Sequence, residues 1–116
     1  MTASPLDPRD LAAHANVPLP VVRLMFAAAG NDAETVRLLR SASIDRETMW
    51  LRRAIITAAK WHTSATLEQL GRAFNRDHST IQRWLADAKA MHAEEPEFRA
   101  FSDRIVEVCA GSRRAA

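Results

Sequence analysis

The residues best equipped for chemistry stand in one run, Arg76-Asp77-His78-Ser79-Thr80. It places a cation, a carboxylate, an imidazole and two hydroxyls in five consecutive positions. No set of nucleophile, base and oxyanion donors accompanies it, so an enzyme is not the expected class. Hydrogen bonding is the more natural use. Ser and Thr can donate to or accept from a base edge, a carboxylate can accept from the cytosine amino group, and an imidazole can pack on a thymine methyl. These groups read a duplex if they occupy the first turn of a helix entering the major groove, where unpaired backbone N–H groups also attract phosphate.

The flanking residues predict such a helix. Asp77 is a natural N-cap, and Ile81, Trp84, Leu85, Ala88 and Met91 follow at helical spacing, to about His92. Ser79, Gln82, Arg83 and Ala86 fall on the opposite side. Upstream, Thr66 and Gln69 have capping-box spacing, and Leu67, Leu70 and Phe74 form the buried stripe of a short helix that ends at a tight Asn75-Arg76 turn. A longer helix is predicted from Arg46 to His62. Trp50, Leu51, Ala54, Ile55, Ala58 and Trp61 share its apolar face, so all three tryptophans are expected in the core. Arg52, Arg53 and Lys60 are expected on its outer face, beside Met49 and Ile56.

Earlier breaks are equally local. Asp7-Pro8 opens a helix to about Ala15, and Asn16-Val17-Pro18 breaks it. A second helix, about Leu19 to Ala29, stops at Gly30. Asn31 and Glu34 read as a capping box for a third, to about Ser41. Glu94-Glu95-Pro96 opens a last helix that buries Phe98, Phe101, Ile105 and Val108, with Cys109 also inward, and Gly111 is expected to end it. Residues 1–6 and Ser112 to Ala116 are expected to be frayed.

The chain of 116 residues is 47% apolar, rich in Ala and without Tyr, which favours one all-α domain. The single Cys109 leaves no internal disulfide and suits a reducing cytoplasm. No signal-like start and no membrane span are seen, so a cytoplasmic location without membrane partners is expected. His14, His62 and His92 lack ligand spacing, so neither metal nor cofactor is expected. Absence of G-x-x-x-x-G-K-[ST] argues against nucleotide binding. Net charge is only +2, but residues 46–83 hold seven basic side chains against three acidic ones. That local excess suits a nucleic-acid face.

The segment Leu70-Gly71-Arg72-Ala73-Phe74-Asn75-Arg76-Asp77-His78-Ser79-Thr80-Ile81 resembles the C-terminal DNA-binding domain (domain IV) of the bacterial replication initiator DnaA, whose pattern reads approximately I-G-x-x-F-G-G-R-D-H-T-T-V. The resemblance covers residues 52–109, and more weakly Leu11 to Leu24. It implies a compact helical bundle with a helix-turn-helix of the DnaA domain IV or Trp-repressor-like type over residues 46–111, and an N-terminal helical extension over 1–45 packed on the same domain. It further implies sequence-specific binding of double-stranded DNA at a DnaA-box-like site, in control of chromosomal replication initiation or transcription. Asp77, His78, Ser79 and Thr80 would read the major groove. Arg52, Arg53, Lys60 and Thr63 would touch phosphates. Arg76 would help at the turn, and Thr66 with Glu68 would lie near the DNA backbone. Gln82 and Arg83 complete the expected set.

Three departures qualify the implied function. Asn75 alone stands where the family has two glycines, so the turn is one residue shorter. Glu68 stands where Pro is common. The family's arginine-rich loop, which enters the minor groove, is reduced in Ser41 to Arg53 mainly to Arg46, after an extra helical insertion of about Phe26 to Ser43. Fewer phosphate contacts imply weaker and less salt-sensitive binding. The alternative expectation is a DnaA-related accessory protein that regulates replication initiation through contacts with replication-regulatory proteins, with little or no DNA binding.

Overall fold

Polar caps and left-handed residues divide the chain into helices. In the computed structural model, which describes residues 7–115 and side chains as far as Gly111, the order is α1 (Pro8–Ala15), α2 (Leu19–Ala28), α3 (Ala33–Arg40), α4 (Arg46–His62), α5 (Leu67–Phe74), α6 (His78–Glu94) and α7 (Pro96–Ala115). All regular structure among the described residues is helical. Asp7, Asp32, Asp45 and Thr66 each cap a helix by accepting a backbone N–H. Asn16, Gly30, Asn31 and Asn75 reverse the chain with positive φ.

Two ends differ from the sequence expectation. The cap of α3 is Asp32, which accepts from the Thr35 N–H, whereas Asn31 takes the left-handed position one residue earlier. At the other end, α7 continues through Gly111 to Ala115. A glycine ends a helix only where the chain turns left-handed, and no positive φ occurs at Gly111. The expected fraying of residues 1–6 lies outside the described residues.

The core is organised around α4, which packs against α2, α3, α6 and α7. Ala54, Ala58 and Ala59 are fully buried, and their small side chains let neighbouring helices approach closely. Trp50 stands edge-on to Phe98 at 5.5 Å and tilted to Phe101 at 5.7 Å, fixing α7 across the first half of α4. The N-terminal helices share this core. Leu11, Val21, Val22, Met25, Val36 and Leu39 join one continuous cluster with Ile55, Leu70, Phe74 and Ile81. The radius of gyration, 13.3 Å, is that of a single compact body of this length, about 13 Å.

Burial around the middle of α4 overturns the expected outer face except at Lys60, which is exposed. Ile56 is fully buried, Arg52 is 2% exposed and Arg53 9%, and Met49 is half-buried. An amphipathic pattern assumes one wet side, and a central helix has almost none. Trp61, expected in the core, is instead 76% exposed at the last turn of α4. Along α7 the inner line runs Phe98, Ser102, Ile105, Cys109, a strict alternation of four and three residues. Val108 falls beside that line and is exposed.

Cys109 lies against α2, with its Sγ 3.8 Å from the Leu24 carbonyl oxygen. Burial pushes its thiol up to about 12. The thiolate is the reactive form, so Cys109 is expected to resist a disulfide reagent in the native protein at pH 8 and to react fully in denaturant. Rapid native-state labelling would contradict its placement in the core.

Candidate nucleic-acid interface

The helix pair α5–α6 is built by local chemistry. Thr66 and Gln69 form a reciprocal capping box, the Thr66 hydroxyl accepting from the Gln69 N–H at 3.1 Å and the Gln69 side-chain Oε1 accepting from the Thr66 N–H at 2.9 Å. Asn75 closes α5 in the left-handed region, φ 57°. The Arg76 N–H then donates back to the Gly71 carbonyl at 2.7 Å. A Cβ on Gly71 would lie 2.5 Å from the Arg76 carbonyl oxygen. Only glycine therefore allows this turn to lie so close on α5. Gly71 was absent from the expected functional set, although a glycine inside an otherwise strong helical stripe was the available signal.

Arg76 turns inward. It donates to the Phe74 and Asn75 carbonyls at 3.2 and 3.1 Å and to the Ser41 carbonyl in the α3–α4 connection. Arg52 meets the same connection from α4, donating to the carbonyls of Leu38, Leu39, Ser41 and Ser43. Arg40 adds a bond to the Ala73 carbonyl at 3.0 Å. Together these guanidiniums satisfy carbonyls left over at the ends of α3 and α5. Arg52, Arg53 and Arg76 also surround the Trp84 ring, at 5.6, 5.9 and 5.6 Å from its centre, while Phe74 meets that ring edge-on at 6.0 Å. Trp84 thereby anchors α6 in orientation. Burial lowers the Arg52 pKa below the ordinary guanidinium value, and the Arg76 and Arg53 charges add to the effect.

Three residues expected at DNA are thus committed inward. Arg53 bonds the Asp87 carboxylate at 3.1 Å and the Met49 carbonyl, and its buried Nε has no partner. The physical reason is common to Arg52, Arg53 and Arg76. A guanidinium with five donors serves buried carbonyls as well as phosphates, and helix ends supply such carbonyls. Thr63 is also occupied. It follows α4 as its C-cap, donating to the Ala59 carbonyl at 2.6 Å and accepting from the Ala65 N–H.

The remaining members keep their side chains at the surface. Thr66, Asp77, His78, Ser79, Gln82 and Arg83 are exposed, Thr80 is half-buried, and Lys60 is exposed with one bond to the Ala65 carbonyl at 3.2 Å. Asp77 occupies the N-cap position of α6, but its carboxylate does not cap the backbone. It accepts the Ser79 hydroxyl at 2.7 Å and lies 3.2 Å from His78 Nδ1. The Ser79 hydroxyl holds the Asp77 carboxyl below the usual carboxylate range. The first turn of α6 is therefore a pre-bonded cluster of polar groups at a helix N-terminus. Glu68 is exposed at the start of α5, and its carboxylate would repel a phosphate brought there.

Comparison with family models, with curated proteins and with solved structures finds no match to this chain. The fold and the polar cluster define an all-helical protein with an exposed, rigidly seated helix start.

Proposed function

We propose that the chain binds double-stranded DNA through the first turn of α6, at a site resembling a DnaA box, in the control of replication initiation or transcription. The observation that carries this reading is the cluster of exposed Asp77, His78 and Ser79 with half-buried Thr80, on a helix seated by Gly71, Asn75, Arg76 and Trp84. A major-groove reader needs such a rigid support, because base recognition depends on fixed donor and acceptor positions. The likeness to the helix-turn-helix of DnaA domain IV supports the same assignment. With its O–H donated in a hydrogen bond to Asp77, Ser79 offers lone pairs, which match the exocyclic amino groups of adenine or cytosine. The Asp77 pKa is depressed, so this bond is present above the ordinary carboxylate range and is lost only as pH falls through the lowered value. Recognition by this pair is expected to be steady across neutral pH.

The test is a mobility shift comparing a DnaA-box duplex with a scrambled one. Ser79→Ala or Thr80→Ala should reduce the preference by about 1–3 kcal/mol if each reads a base. No preference in the unmodified protein would sink the reading. Salt dependence should be shallow. Arg52, Arg53 and Arg76 face inward, leaving mainly Lys60 and Arg83 for phosphates, so log K against log salt should slope at about −2.

A second reading is favoured by the same withdrawn arginines. A chain of this type with few phosphate contacts could act as an accessory protein, regulating replication initiation through protein contacts.

A further inference from the structure

An open groove of 790 Å³ lies between α4, α6 and α7. Its floor is apolar, made by Leu85, Ala88 and Val106, and Trp61 stands on its edge. An indole that is 76% exposed beside an apolar hollow is poorly placed for a side chain serving the chain's own core. The rim is cationic. Lys60 and Lys89 both line the groove and are exposed, and Lys89 makes no ion pair among the described residues. The one carboxylate lining it, Asp103, is already bonded to His92 at 2.8 Å. Apolar floor and free positive charge together specify the complement.

We propose that this groove docks an acidic segment of a partner protein. A leucine or aromatic side chain of that segment lies between Trp61 and Val106, and its carboxylates meet Lys60 and Lys89. Charge complementarity chooses an acidic occupant over a basic one. The concave aliphatic floor chooses a peptide over single-stranded nucleic acid, whose bases would stack on Trp61 and leave Leu85 and Val106 uncovered. The proposal supplies a site for the second reading and rests on it only in requiring a protein partner. Its test contains no duplex DNA, so its failure is distinct from failure of the DNA reading.

The probe is a fluorescein-labelled synthetic helical peptide with paired leucines flanked by Glu and Asp, compared with the same peptide carrying Lys in place of each acid. Saturable binding of the acidic peptide is expected, with movement of the Trp61 indole resonance and binding weaker by about tenfold or more in Trp61→Ala and Lys89→Glu. Both substituted side chains are exposed, so circular dichroism of the variants should match the parent. Absence of saturable binding, equal binding of the acidic and basic peptides, or an unmoved Trp61 resonance would each overturn the proposal. Movement of that resonance by oligothymidylate but not by the peptide would assign the groove to nucleic acid and overturn it as well.

Discussion

Arg52→Ala is expected to lower stability by about 2–4 kcal/mol, since each buried acceptor that loses its charged donor costs about 1–3 kcal/mol. Arg52 donates to the carbonyls of Leu38, Leu39, Ser41 and Ser43 from a position only 2% exposed. Truncation leaves the Leu39 and Ser43 carbonyls without a donor where water has little access, while Leu38 keeps the Ser41 N–H and hydroxyl and Ser41 keeps Arg76, and it removes one of the cations around Trp84. Arg52→Met would restore volume without donors and should recover little. Arg52→Lys would restore charge, but one ammonium with three donors cannot span four carbonyls, so it too should remain well below the parent. Urea unfolding with an unchanged slope measures the loss. A methionine variant as stable as the parent would show that the hydrogen bonds contribute nothing net.

Gly71→Ala carries the second large effect. Alanine normally favours a helix interior by up to about 1 kcal/mol over glycine. Here the added Cβ would sit 2.5 Å from the Arg76 carbonyl oxygen, with the His78 nitrogen and Asp77 carbonyl carbon at 3.4 and 3.5 Å. All three neighbours are backbone of the turn, so the start of α6 must move away from α5. Overpacking of this kind costs about 1–3 kcal/mol, enough to reverse the helix-propensity gain. The displacement should act on recognition as well as on stability. At temperatures where the variant is still folded, its preference for the box duplex should fall. Unchanged stability and unchanged preference would mean that the turn is looser than the contacts imply.

These two residues show what could be read from the chain and what could not. The limits of α5 and the start of α6 were legible because they depend on neighbours in sequence: Thr66 with Gln69, Asn75 in the left-handed region, and Asp77 before His78. The exposed cluster on α6 followed from the same periodicity. The outer face expected for Arg52 and Arg53 was misread, and the reach of Arg76 beyond its turn was missed, because their partners lie far along the chain. Arg76 reaches Ser41, and Arg52 reaches Leu38, so their use depends on how α3 docks on α4. Charge alone cannot separate a guanidinium that serves helix-end carbonyls from one that awaits phosphate. Trp61 was misread for a related reason. It shares a helical face with Trp50, but near the end of α4 that face borders the groove beside α6 and α7.

DNA reading by the first turn of α6 is open to a direct spectroscopic test. Titration of ¹⁵N-labelled protein with a DnaA-box duplex tests it most directly. Saturable shifts are expected at Asp77 to Arg83, with smaller ones at Thr66 and Lys60, and much weaker shifts with a scrambled duplex. Unmoved signals in that turn, or an equal response to both duplexes, would contradict it.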